Sequence, residues 1–100
     1  MRNDICILIT EFSEDGEIKS VEKEIWCEAT SCTRNEFYQA YAVGLRPKYN
    51  LDIDSWDFDD ASLLINGERK YPVRVKYNDA VYNIMRTYEK DKFNISLTVG

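Results

Sequence analysis

A chain of 100 residues suffices for one domain with one modest core, and 44% hydrophobic against 31% charged residues is the balance of a folded protein, not a disordered one. The formal charge of −5, from 18 acidic and 13 basic residues, has the wrong sign for a protein that grips nucleic acid by neutralising phosphates. Histidine is absent, which removes the commonest general base and metal ligand, and 3 cysteines without a Cys-x-x-Cys pair argue against a disulfide framework or a zinc knuckle.

The opening MRNDICILITEF has too short an apolar run and too many acidic neighbours for a signal peptide or a membrane span, so synthesis in the cytoplasm is expected. Asp4–Phe12 alternates as a strand, with Ile5, Ile7 and Ile9 on one face and Cys6, Leu8 and Thr10 on the other, which suggests cover on both sides. Ser13–Glu17 is a turn in which Gly16 takes positive φ. Ile18–Thr30 is a long strand, with Val21, Ile25, Cys27 and Ala29 opposed to Glu22, Glu24 and Glu28. Lys19 and Lys23 share the apolar parity, so that end is expected to project beyond the core.

Alternation then stops. In SCTRNEFYQAYAVGLRP (31–47), Thr33 and Glu36 make a capping box, Phe37, Ala40 and Tyr41 make a short apolar stripe, and Gly44 and Pro47 end the helix. The spacing predicts a helix over 33–43, anchored by Thr33, Glu36, Phe37, Tyr41 and Gly44, with Arg34, Tyr38 and Gln39 on its outer face.

Strand alternation resumes over Lys48–Trp56, and Asp57–Asp60 reads as an acidic loop. Ala61–Ile65 and Lys70–Tyr77 read as strands joined through an Asn66-Gly67 hairpin turn, with Pro72 at an edge or bulge. Asn78-Asp79 is a two-residue turn into Ala80–Tyr88, Glu89–Lys92 is a charged turn, and Phe93–Val99 is a last strand of clean period two. About seven strands with short turns and one helix point to a small antiparallel barrel or sandwich in a single domain.

Tests for chemistry come out negative. DIDSWDFDD (52–60) lacks the Gly at loop position 6 and the Glu at position 12 of a calcium loop. No histidine activates a serine, the glycines sit at turns or a helix end, and Asn94-Ile-Ser96 lies within a strand. Cys32, one residue before the helix N-cap, is the thiol best placed for reactivity, with Arg34 as its close cation. No catalytic residue, metal or cofactor is expected.

The order of the pieces resembles the phage head–tail joining family, the head-closure or stopper proteins of the tailed-phage connector. The resemblance rests on WCEAT (26–30), on the helix residues Asn35, Glu36, Phe37, Tyr38, Gln39 and Ala40, and on Val73, Arg74, Val75, Tyr77, Val81, Tyr82 and Ile84 in the closing hairpin. It covers nearly the whole chain. Asn78-Asp79 stands where the family often has Gly in the turn, and the stretch 57–72 is longer than the usual link.

The resemblance implies a small β-barrel without catalytic activity, made in the bacterial cytoplasm and carried in the virion neck. It implies a dodecameric ring against the portal or adaptor and the tail, closing a channel through which DNA passes without specific binding, and no membrane contact. The segment 31–48 is then the channel- or partner-facing element, with Arg34, Tyr38, Gln39, Arg46 and Lys48 as interface candidates. A tail-terminator or other neck protein is the nearest alternative. A small barrel that stacks single-stranded nucleic acid on exposed aromatics is a third reading, and a cysteine-dependent enzyme built on Cys32 a fourth.

Overall fold

The computed structural model describes residues 3–31 and 47–100. In chain order these form β1 (Asp4–Glu14), β2 (Glu17–Ser31), β3 (Tyr49–Asp54), a helix α1 (Ser55–Asp60), β4 (Leu63–Ile65), β5 (Glu68–Lys70), β6 (Arg74–Tyr77), β7 (Ala80–Glu89) and β8 (Asn94–Val99). Strands β1-β2-β3-β8-β7-β6 close into an antiparallel barrel, with β6 pairing back onto β1, while β4 and β5 form a separate hairpin. Closure removes the open edges that a sheet of this size would otherwise present. The helix expected over 33–43 lies outside the described residues.

Turn chemistry sets the register. Asp15 and Gly16 adopt φ of 52° and 80°, Asn66 and Gly67 52° and 79°, and Asn78 and Asp79 52° and 63°. Two successive left-handed residues give the hairpin turn whose twist matches its flanking strands. Glu14 therefore sits opposite Glu17, Ile65 opposite Glu68, and Tyr77 opposite Ala80.

Period-two patterning then fills the barrel. Leu8, Leu51, Ile53, Val75, Leu97 and Val99 are fully buried, together with Cys6 and Cys27. Burying each large aliphatic side chain is worth roughly 1.5–3 kcal/mol. On β1 the inner face is Cys6, Leu8 and Thr10, while Ile5 is exposed and Ile7 half-buried on the outer face. The two-faced cover expected of β1 is met at Ile9, which is buried although it points outward.

Beyond the barrel the β1–β2 hairpin continues as an arm. The β1–β6 pairing spans Cys6–Ile9 and the β2–β3 pairing spans Glu28–Ser31, whereas β1 and β2 pair all the way to Glu14 and Glu17. Ile18 and Val21 are exposed on this arm. Lys19, on the apolar parity of β2, thus lies on the projecting end, whereas Lys23 sits opposite Leu8 within the barrel and pairs with Asp60.

Two sequence expectations are corrected. The acidic stretch after β3 is a helical turn, not a loop: the Ser55 N–H donates to the Phe93 carbonyl at 2.9 Å, and the Ala61 N–H closes on the Asp57 carbonyl at 3.0 Å. Asp57 in its first turn complements the helix dipole, and Phe58 is buried, so tertiary packing selects a conformation that six residues carry no periodicity to announce. The single strand expected over Lys70–Tyr77 is two strands in different sheets, β5 and β6. Pro72 has no N–H to give a ladder, and residues 71–73 turn the corner between the small hairpin and the barrel. Val73 still reaches the barrel, donating its N–H to the Ile9 carbonyl at 3.0 Å.

The barrel has two dissimilar ends. At one, α1 and the β4–β5 hairpin form a cap: the Thr10 hydroxyl donates to the Ala61 carbonyl at 2.8 Å, and Lys23 pairs with Asp60. Ser62 donates to the Asp59 carbonyl and accepts from Arg69 Nη1 at 2.6 Å, tying the hairpin to the helix. At the other end Tyr49 meets Tyr77 and Tyr82 edge-on, with ring centroids 5.3 and 5.8 Å apart.

Between β7 and β8, Asp91 Oδ1 accepts the backbone N–H groups of Phe93 and Asn94 at 2.8 and 2.9 Å. These hydrogen bonds, first that from Phe93, hold its carboxyl below the ordinary 3.8. A depressed folded pKa contributes stability above the unfolded value and loses it as pH falls through the folded one. Asp91→Ala is therefore expected to lower the thermal midpoint at neutral pH. The gap to the unsubstituted protein should narrow as pH drops below 3.8, which a melting series in acid would measure.

Candidate interaction surface

Cys6 and Cys27 face each other inside the barrel, both buried and neither in a disulfide. The hydrogen bond with Cys27, then burial, pushes the Cys6 thiol far above its ordinary value, so it is an inert core thiol and not a nucleophile. Cys27 thus occupies the core position its parity predicted. Cys32 lies outside the described residues.

The carboxylates of DIDSWDFDD are dispersed by the fold. Asp52 lies on the outer face of β3, where Lys90 Nζ donates to Oδ2 at 2.8 Å, and Asp60 pairs with Lys23 at the cap. The Asp52 carboxylate is also what raises the Lys90 pKa. Among the described residues no group of His, Cys, Asp and Glu side chains could hold a metal ion.

Of the interface residues expected from the sequence, only Lys48 is described. It is exposed, and its N–H donates to the Val99 carbonyl at 2.8 Å, extending the β3–β8 ladder by one residue. Arg34, Tyr38, Gln39 and Arg46, and the expected helix anchors Thr33, Glu36, Phe37, Tyr41 and Gly44, lie outside the described residues. Of the described residues on either side, Ser31 is paired with Tyr49 in the β2–β3 ladder, and Pro47 is buried. These flanking residues lie on adjacent strands at the tyrosine-lined end. There the Tyr77 hydroxyl lies 3.4 Å from Asp4 Oδ2, and burial, followed by the Asp4 charge, raises its pKa.

Two further surface features are invisible to a reading by motif. At the cap end, a cleft of about 520 Å³ runs between α1, residues 71–72 and the ends of β7 and β8. Phe58 and Tyr71 stack along it with centroids 5.6 Å apart, and Asp59 and Glu89 stand on its walls. On the barrel wall, cross-strand register sorts outward side chains by chemistry. Val81, Lys76, Ile7 and Glu24 form one row across β7-β6-β1-β2, and Asn83, Arg74, Ile9 and Glu22 form the next. The signal was present in the alternation of each strand, but only the strand order places the basic strip on one side of β1 and the acidic strip on the other.

Compared with protein-family models and with curated proteins, the chain matches none.

Proposed function

We propose that this protein is a structural subunit of a phage or prophage head–tail connector, carried in the virion neck. On this reading it assembles as a dodecameric ring against the portal or adaptor, closes the DNA channel and presents a docking surface to the tail. The observation that supports this most is the closed antiparallel barrel in which β2 and β3, the strands on either side of 32–46 in the sequence, pair at one mouth through Ser31 and Tyr49. On this reading the residues between those two strands contact a neighbour or the channel. The long β1–β2 arm, with Ile18 and Val21 exposed, is a second element that reaches beyond the barrel. No catalytic role, metal or cofactor is part of this reading.

Deleting the gene from its phage is expected to yield DNA-filled heads without attached tails, scored by electron microscopy. Normal tailed particles would end the connector reading. A tail terminator, the alternative within the neck, would instead leave tails of abnormal length. In a phage that carries the gene, Tyr38→Ala, Arg46→Ala and Lys48→Glu are expected to leave the protein folded and lower the yield of infectious particles. Full infectivity of all three would remove residues 31–48 from the interface.

A second reading has one observation in its favour: Trp26, Trp56, Tyr88 and Phe93 are all well exposed, and exposed aromatics can stack bases. The charge of −5 opposes it. A gel shift at low salt that binds single strands at micromolar protein would favour this reading over the connector.

A further inference from the structure

The outer wall formed by β6, β1 and β2 carries an ordered pattern of charge. Ile5, Ile7 and Ile9 run along β1; Arg74 and Lys76 flank them on β6; Glu22 and Glu24 flank them on β2. Neighbouring strands lie about 4.8 Å apart, so the basic and acidic strips are about 10 Å apart. Lys76 does not pair with Glu24 across the isoleucines. Arg74 has an intramolecular partner, with its Nε 3.1 Å from Glu11 Oε1. Lys76, Glu22 and Glu24 have no ion-pair partner among the described residues. Apolar surface accompanies the charges: Ile5 is 45% exposed, Trp26 opposite it 57%, and Val81 opposite Lys76 56%.

A face that is basic on one side of an apolar line and acidic on the other is complementary to itself. A two-fold axis parallel to β1 sets the β6 strip of one copy on the β2 strip of another, twice over, and brings the β1 lines together. An axis perpendicular to β1 would oppose like charges. We infer that this wall is the contact face of a two-fold pair of identical chains, with Lys76 and Arg74 of each copy meeting Glu24 and Glu22 of the other. The occupant is a second copy because the charge arrangement that would attract it is the one this chain itself carries. Long lysine, arginine and glutamate side chains span the gap that barrel curvature opens on either side of the central contact. The pair does not rest on the connector reading, which concerns a ring.

The test uses the full chain in sedimentation velocity at low ionic strength. The protein is expected to sediment as a monomer–dimer equilibrium that weakens as salt is added. Glu22→Lys with Glu24→Lys makes both strips basic, and Arg74→Glu with Lys76→Glu makes both acidic. Each double variant alone is expected to dimerise at least about tenfold more weakly, since opposed like charges replace opposed unlike ones. An equimolar mixture of the two should restore the dimer. Because Arg74 also pairs with Glu11, Lys76→Glu alone serves if the double acidic variant does not fold.

A chain that stays monomeric at high concentration in low salt overturns the proposal. So does a variant that dimerises as well as the unsubstituted protein, or a salt-sensitive assembly that grows past two copies. These outcomes are independent of the gene deletion. Tailless heads with a monomeric chain would retain the connector and discard the pair, and the reverse result would do the opposite.

Discussion

Leu97→Ala is expected to lower the unfolding free energy by about 2–5 kcal/mol, the range for truncating a buried leucine where the surroundings cannot collapse. Leu97 is fully buried at the middle of β8, directly opposite Leu51 on β3, which is buried to the same degree. It therefore stands inside the barrel with a large side chain beside it on the same inner face, and the space left behind has walls fixed by a closed ladder. Against a total of about 5–15 kcal/mol for an ordinary domain, a loss of that size takes away a large fraction of the stability. Urea denaturation should show a lower midpoint with an unchanged slope. Ser96→Ala, its half-buried neighbour on the outer face, should move the midpoint by no more than about 0.5 kcal/mol. Equal effects from the two would mean that the interior and exterior of β8 have been exchanged.

Phe58→Ala is the second large expectation, at about 3–5 kcal/mol for removing a buried aromatic ring. Its ring is 8% exposed in the core cluster at the cap end and stacks on Tyr71 at an interplanar angle of 9°. The same residue holds α1 in place, because that helix has six residues and no side-chain N-cap hydrogen bond. A helix so short has no stability of its own. The loss should accordingly be uneven. Hydrogen exchange is expected to quicken first at the amides of α1, β4 and β5, while the central amides of β1 and β8 keep their protection until global unfolding. Uniform acceleration across the barrel would show instead that cap and barrel unfold as one unit.

Most of the barrel was legible in the sequence because a half-buried strand writes its orientation in alternate residues. Leu51 and Ile53, and Ile95, Leu97 and Val99, occupy the interior as their parity requires. The turns were legible for a different reason: Gly16, Asn66-Gly67 and Asn78-Asp79 tolerate left-handed backbone and adopt it, although the first turn is tighter than Ser13–Glu17, with Asp15 also left-handed and strand on either side. Even the β1–β2 arm was foreshadowed, by Lys19 where a core strand would carry an aliphatic side chain.

Where reading failed, a long-range contact made the decision. SWDFDD is a helical turn because Phe58 finds a buried place over the barrel, a fact no local window contains. RKYPVRVKY divides between two sheets because β6 is claimed by β1, more than sixty residues earlier in the chain. Choosing between barrel and sandwich also waited on that single β1–β6 pairing. The candidate surfaces follow the same division. Lys48 was named from the sequence and is exposed, whereas the charged wall escaped notice because its parts come from β6, β1 and β2.

The sequence by itself determined which residues turn, which alternate and which side of each strand is apolar, since those properties depend on backbone sterics and on neighbours one or two residues away. Only the tertiary structure decided which strands lie side by side, and with that the closure of the barrel, the helical turn over its end, and the placing of basic and acidic strips on either side of one apolar strand. The reason is physical: pairing partners are chosen by the burial that the whole set of strands achieves together, and that quantity has no value for any one segment alone.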